Sequence, residues 1–147
     1  MTAAETSAFE ALLTDDRYGV HVVLARDPGA PTDADPPLPS LPYVLIYPTG
    51  GRDEQHRSTG PHVTRRPSWV VHAVGESSES AELVLGFVDD HLRPPPSRWG
   101  VIPVVGGQRT KRIRRDDVVG VQVDDSSTPV VCYAIAAYSF ESSPDLS

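Results

Sequence analysis

The stretch from Gly60 to Leu92 constrains this chain more than any other, because it reads as a strand running directly into a helix. Val63 to Val74 is rich in β-branched and aromatic residues (Val63, Thr64, Trp69, Val70, Val71, Val74) and is interrupted by Pro67. Gly75-Glu76-Ser77 breaks it. From Ser77 to Leu92, apolar residues recur at Ala81, Val84, Leu85, Val88 and Leu92, and steps of three and four put them on one stripe of a helix. Serines 77, 78 and 80 offer an N-cap hydroxyl, and Glu79 and Glu82 favour the positive end of the helix. Pro94-Pro95-Pro96 stops it, since proline lacks the amide donor and clashes with the preceding turn. Such a unit needs a sheet to lie on.

The remaining segments supply one. Thr2 and Ser7 each precede a glutamate by three residues (Glu5, Glu10), so either opens a first helix through a capping box. Phe9, Leu12 and Leu13 give this helix its apolar face, and it ends near Asp15. Tyr18 to Arg26 reads as a strand, followed by Asp27 to Pro42, a loop stiffened by six prolines. That loop is long for a compact domain, which hints at a contact of its own. Tyr43 to Tyr47 is apolar on both faces, as in a central strand. Thr49 to Pro61 is polar and reads as an extended hairpin connection. Trp99 to Val105, Val118 to Val123 and Val130 to Phe140 complete the strands, and Glu141 to Ser147 is a polar tail.

Helix, strands, helix and strands again, joined by loops, predict an α+β fold. Its sheet is mixed but mostly antiparallel and is flanked by two helices. A length of 147 residues fits one domain over the whole chain. No apolar run reaches the 18 or so residues needed to cross a bilayer, and no secretory leader is visible at the N-terminus. Cys132 is the only cysteine, which excludes an internal disulfide. A net charge of −7 has the wrong sign for a chain whose main task is gripping nucleic acid.

Reactive constellations are hard to find. The histidines at 21, 56, 62, 72 and 91 have no metal-ligand spacing. Gly50-Gly51 and Gly106-Gly107 lack the flanking pattern of a phosphate cradle and read as turns. Cys132 shares a strand face with Val130, Ala134 and Ala136 and reads as a small buried apolar residue. The acidic pairs Asp15-Asp16, Asp89-Asp90, Asp116-Asp117 and Asp124-Asp125 look like element ends. The sequence therefore predicts neither an enzyme nor a cofactor. Its densest charge is basic: Arg109, Lys111, Arg112, Arg114 and Arg115 occupy five of seven positions, followed at once by Asp116 and Asp117. This reads first as a solvated hairpin tip, and alternatively as a strip touching DNA phosphates or an acidic partner. No aromatic is interleaved for base stacking.

Thr59-Gly60-Pro61-His62, Arg66-Pro67-Ser68-Trp69-Val70-Val71-His72 and Val74-Gly75-Glu76-Ser77 together resemble the tail terminator proteins of long-tailed phages, especially actinobacterial ones. The helix after Ser77, Arg114-Arg115-Asp116 and a last strand ending Tyr138-Ser139-Phe140 extend the likeness over about residues 5 to 141. The resemblance implies a virion protein, assembled in the host cytoplasm. It would form a homo-hexameric ring that caps the tail tube, ends its polymerisation and meets the head-side connector. It also implies a sheet facing a central channel through which DNA passes without sequence-specific binding. A head-closure or neck connector of the same virion is the near alternative, and a free-standing binding module or a divergent enzyme the distant one. A ring subunit needs loops that bridge neighbours, and proline-stiffened loops lose less entropy on docking. Arg52, Asp53, Arg57, Arg65 and Arg66 are the expected subunit or tube contacts. Arg109 to Asp117 is the expected partner or channel loop, with acidic residues outweighing basic ones on the channel wall.

Overall fold

Ser77 sets where the second helix begins. Its backbone is extended and its hydroxyl accepts a hydrogen bond from the Ser80 amide at 3.1 Å, satisfying one of the orphan donors of the first turn. Helix α2 (Ser78–Leu92) follows, and Ala81, Val84, Val88 and Leu92 are buried along it, as the spacing predicts. Helix α1 spans Ala3–Leu13. Ser7 therefore stands inside this helix and does not cap it, while Thr2 and Asp15 lie outside the described residues. The computed structural model describes residues 3–13, 21–24, 42–49, 52–54, 64–125 and 131–144, with backbone alone at 3, 21–24 and 52–54.

Two sheets form. The larger runs β1 (His21–Leu24), β2 (Tyr43–Pro48), β5 (Ser68–Gly75), β8 (Val131–Ser139) and β7 (Arg114–Asp124), in that spatial order. Among the described strands β1 and β2 pair in parallel and the other neighbours are antiparallel. The smaller sheet runs β3 (Arg52–Glu54), β4 (Thr64–Arg66), β9 (Ser142–Pro144) and β6 (Gln108–Thr110). The fold is α+β, with a mixed, mostly antiparallel arrangement and two helices against it. Pro67 explains why there are two sheets. It carries no amide donor, so the run from Thr64 to Gly75 breaks there into β4 and β5. On the neighbouring chain segment Phe140 and Glu141 separate β8 from β9 at the same level, and the Phe140 amide donates to the Pro67 carbonyl at 3.3 Å.

The core lies between the larger sheet and the helices. Val44 and Ile46 on β2, Trp69, Val71 and Ala73 on β5, and Ala134, Ala136 and Tyr138 on β8 point to this side and are buried. Alternate residues share a face because the strand period is two. Phe9 of α1 stacks on Trp69 with centroids 4.4 Å apart and planes 5° apart, and Phe140 stacks on Trp69 at 5.3 Å. Burying Phe9 is worth about 1.5–3 kcal/mol, which is what docks an eleven-residue helix too short to persist alone. On the opposite sheet face His72 lies between Tyr47 (4.7 Å) and Tyr133 (5.7 Å), with its ring parallel to that of Tyr133.

Several expectations need correction. Trp99 to Val105 is an extended segment without a strand ladder. Pro103 cannot donate, and the segment is held instead by single hydrogen bonds, from the Val101 amide to the Leu92 carbonyl and from the Ile113 amide to the Val101 carbonyl, both 2.9 Å. The polar tail contributes β9, whose pairing with β4 and β6 makes it the centre of the smaller sheet. Strand β7 begins at Arg114, four residues before Val118, so Asp116 and Asp117 lie within a strand and not at its end. The Asp27–Pro42 loop lies outside the described residues, apart from Pro42.

Two outcomes follow from these contacts. A Cβ on Gly100 would sit 1.7 Å from the Ile113 carbonyl oxygen, so Gly100→Ala should destabilise the fold by more than about 3 kcal/mol in urea titration. Burial pushes the His72 pKa below its ordinary 6.5. The folded state then takes up a proton less readily than the unfolded one, and the stability tied to neutral His72 is present above pH 6.5 and lost as pH falls further. His72→Phe keeps a ring between the tyrosines, and its thermal midpoint should fall less than that of wild type when pH drops below 6.5.

Candidate functional site

One end of the larger sheet, where β5 begins, β8 ends and β7 begins, brings Ser68, Ser139 and Arg114 into register. The last turn of α2 packs over it and delivers Asp89, a buried residue whose side chain is only 10% exposed. Its Oδ1 accepts from Arg93 Nε at 2.8 Å and from the Tyr138 hydroxyl at 2.9 Å, and its Oδ2 accepts from Arg93 at 3.0 Å. Arg98 and Arg115 approach Oδ2 to 3.4 and 3.5 Å. Burial pushes this carboxyl's pKa up. The hydrogen bonds from Arg93 and Tyr138 and the charges of Arg93 and Arg115 outweigh burial, and the net position is below the ordinary carboxylate value. Tyr138 is pushed up, by burial first and by the neighbouring carboxylate second. One carboxylate thus ties the helix end, the loop after it and the edge strand to the core.

That anchoring controls the surface beyond it. Gly100 presses against the Ile113 backbone, and the Arg112 guanidinium donates to the Gly100 carbonyl at 2.9 Å while lying 5.3 Å over the Trp99 ring. From 101 to 105 the chain alternates, with Pro103 and Val105 inward and Ile102 and Val104 outward. Trp99 is 67% exposed and Val104 91%. The Thr110 hydroxyl donates to the Pro103 carbonyl, fixing the segment to β6. Ile102 also lines an open cavity of about 470 Å³, together with Arg66, Lys111, Arg112, Arg114 and Glu141. Glu141 accepts from Arg66 at 3.2 Å and from Lys111 at 2.8 Å. Exposed tryptophan and β-branched residues ringed by arginine have the makeup of a protein-docking surface, and the surplus of cations selects an acidic partner.

The expected site residues are only partly gathered here. Arg66 and four of the five residues of the basic strip (Lys111, Arg112, Arg114 and, through Asp89, Arg115) belong to this end, and Arg109 lies beside it on β6. The strip is not one hairpin tip. It is divided between β6, the connection from 111 to 113 and the start of β7. Asp116 accepts from Arg114 at 2.9 Å, and Asp117 accepts from the Val118 amide at 2.9 Å. Arg65 pairs with the fully buried Glu5 at 3.2 Å. Arg52 and Asp53 stand opposite Arg66 and Arg65 in the β3–β4 ladder, and Arg57 lies outside the described residues. Sequence reasoning missed Asp89, Trp99, Ile102, Val104 and Glu141 as site residues. For Asp89 a signal existed, since Arg93 follows at the helical i, i+4 spacing.

Cys132 is buried beside Ala81 and Ala134. Among the described residues, no three His, Cys, Asp or Glu side chains group as metal ligands. The sequence matches no protein-family model, and no curated protein matches it either.

Removing the Asp89 charge leaves Arg93, Arg98 and Arg115 facing one another without their common partner. Asp89→Asn should therefore cost about 3–5 kcal/mol, measured by denaturant titration, and should raise exchange of the amides from 98 to 105.

Proposed function

We propose that this chain is a structural virion protein that caps the tail tube of a long-tailed phage as a homo-hexameric ring. It ends tube polymerisation and joins the tail to the head-side connector, leaving a channel for DNA. The reading starts from the resemblance carried by Gly60-Pro61-His62, Arg66 to His72 and Val74 to Ser77. The observation that carries it in the structure is the exposed Trp99, Ile102 and Val104 beside Arg112 and Lys111 on a small α+β subunit. A surface of that kind favours adhesion to another protein. Its support is rigid, because Asp89, Gly100 and the Glu141 ion pairs hold every segment that contributes to it. Rigid presentation lowers the ordering cost of docking, which suits a part that must recognise one end of one tube.

Purified full-length chain should give particles of six subunits by mass photometry and should bind the ends of assembled tail tubes in micrographs. Tails assembled without it should run beyond their normal length. A chain that remains a single subunit, ignores tube ends and leaves tail length unchanged when omitted would overturn this reading.

A further inference from the structure

Charge is segregated along the larger sheet. At the end where Ser68, Ser139 and Arg114 are in register lies every arginine and lysine whose side chain the structure describes, from Arg65 to Arg115. Carboxylates there, chiefly Glu5, Asp89, Asp116 and Glu141, are tied into ion pairs with them. The opposite end is defined by Gly75, Cys132 and Val123, which are in register across β5, β8 and β7. Here the exposed charges are Glu76, Glu79 and Glu82 around the start of α2 and Asp125 just past β7, with no described cation among them. Ser68 and Gly75 of β5, at the two ends, are seven residue steps apart, about 23 Å at the usual rise per residue. Among the described residues the charge forms an electric dipole lying along the strands.

Each end also leaves apolar side chains uncovered. Trp99, Ile102 and Val104 are exposed at the basic end. At the acidic end Leu83 is 59% exposed on the outer side of α2, and Val123 is 60% exposed on β7. The two ends match in charge and in apolar content, and they belong to one chain.

We infer that the acidic partner of the basic end is the acidic end of a second copy of this chain. The surface around Glu79, Glu82 and Leu83 of one subunit meets Trp99, Ile102, Lys111 and Arg112 of the next. The contact uses two different surfaces, so it is heterologous, and repeated it closes into a ring or continues as a filament according to the rotation per step. The inference rests on the assembly reading above and names which surfaces the copies use. Charge complementarity steers their encounter and fixes their polarity, while like ends repel.

The test is a charge swap in the full chain. Lys111→Glu with Arg112→Glu reverses the charge of the contact patch at the basic end; Glu79→Lys with Glu82→Lys reverses that of the contact patch at the acidic end. Each variant, checked for its fold by circular dichroism, should self-associate at least about tenfold more weakly than wild type in mass photometry. An equimolar mixture of the two should assemble again, since each then offers the other a complementary end. Raising salt from about 0.1 M to about 1 M shortens the screening length from about 10 Å to about 3 Å, and should weaken wild-type assembly without any substitution. Reversed variants that assemble as wild type does, or a mixture that stays single while both variants are folded, would overturn the end-to-end contact and leave the ring reading standing. Wild type that is single at every concentration would overturn the ring reading itself, and this contact with it.

Discussion

Asp89 is the point through which most of this architecture is connected. Its carboxylate is reached by the residue that caps the same helix, one from the loop after it, one from the edge strand and one from the heart of the core. A buried carboxylate facing several arginines is not a cheap source of stability, because desolvation offsets much of the attraction. What it does supply is geometry. Tyr138 belongs to the aromatic group around Trp69, so the hydroxyl that binds Asp89 joins the polar anchor to the apolar core. The loop from 93 to 107 is rich in proline, and the Asp89 anchor at its start acts together with the hydrogen bonds that tie Gly100, Val101 and Pro103 to the chain just before β7.

The two sheets divide the labour. The larger sheet carries the core and gives the subunit its length, with helices on one face only. The smaller sheet is built from strands of three residues, too short to bury a face of their own, and serves to hold Arg66, Lys111 and Glu141 together at one end. The break at Pro67 is what allows this. A residue with an amide donor there would permit one strand to continue from Thr64 to Gly75, and the basic end would lose the platform on which Glu141 sits.

Legibility in the sequence followed the range of the interactions. Helix α2 was readable because its cap, its stripe and its proline stop all lie within twenty residues of one another, and the structure agrees to within a residue. The central strands were readable from β-branched runs. Strands β6 and β9 were not, because three residues give no periodicity, and Ser142 to Pro144 has the composition of a tail. Trp99 to Val105 looks like a strand because it is apolar apart from Gly100 and Pro103. Only the approach of Gly100 to the Ile113 backbone, thirteen residues away in the chain, shows that its outward residues are left on the surface. The basic strip was visible as composition, but its division among three segments and its attachment to Glu141 and Asp89 depend on long-range pairing that no local window contains.

A net charge of −7 counts against nucleic-acid binding as the main task, yet the total conceals the arrangement that matters. If the same charges were interspersed evenly, two copies would repel at every orientation and associate only through apolar contact. Segregation changes the sign of the interaction for one orientation while keeping it repulsive for the others. It also protects the exposed Trp99, Ile102 and Val104 from promiscuous pairing, since an apolar patch set among cations resists a second patch of the same kind. An acidic protein whose described cations gather at one end of its strands thus has the charge pattern that would let it stay dispersed and still add to its own kind in one direction.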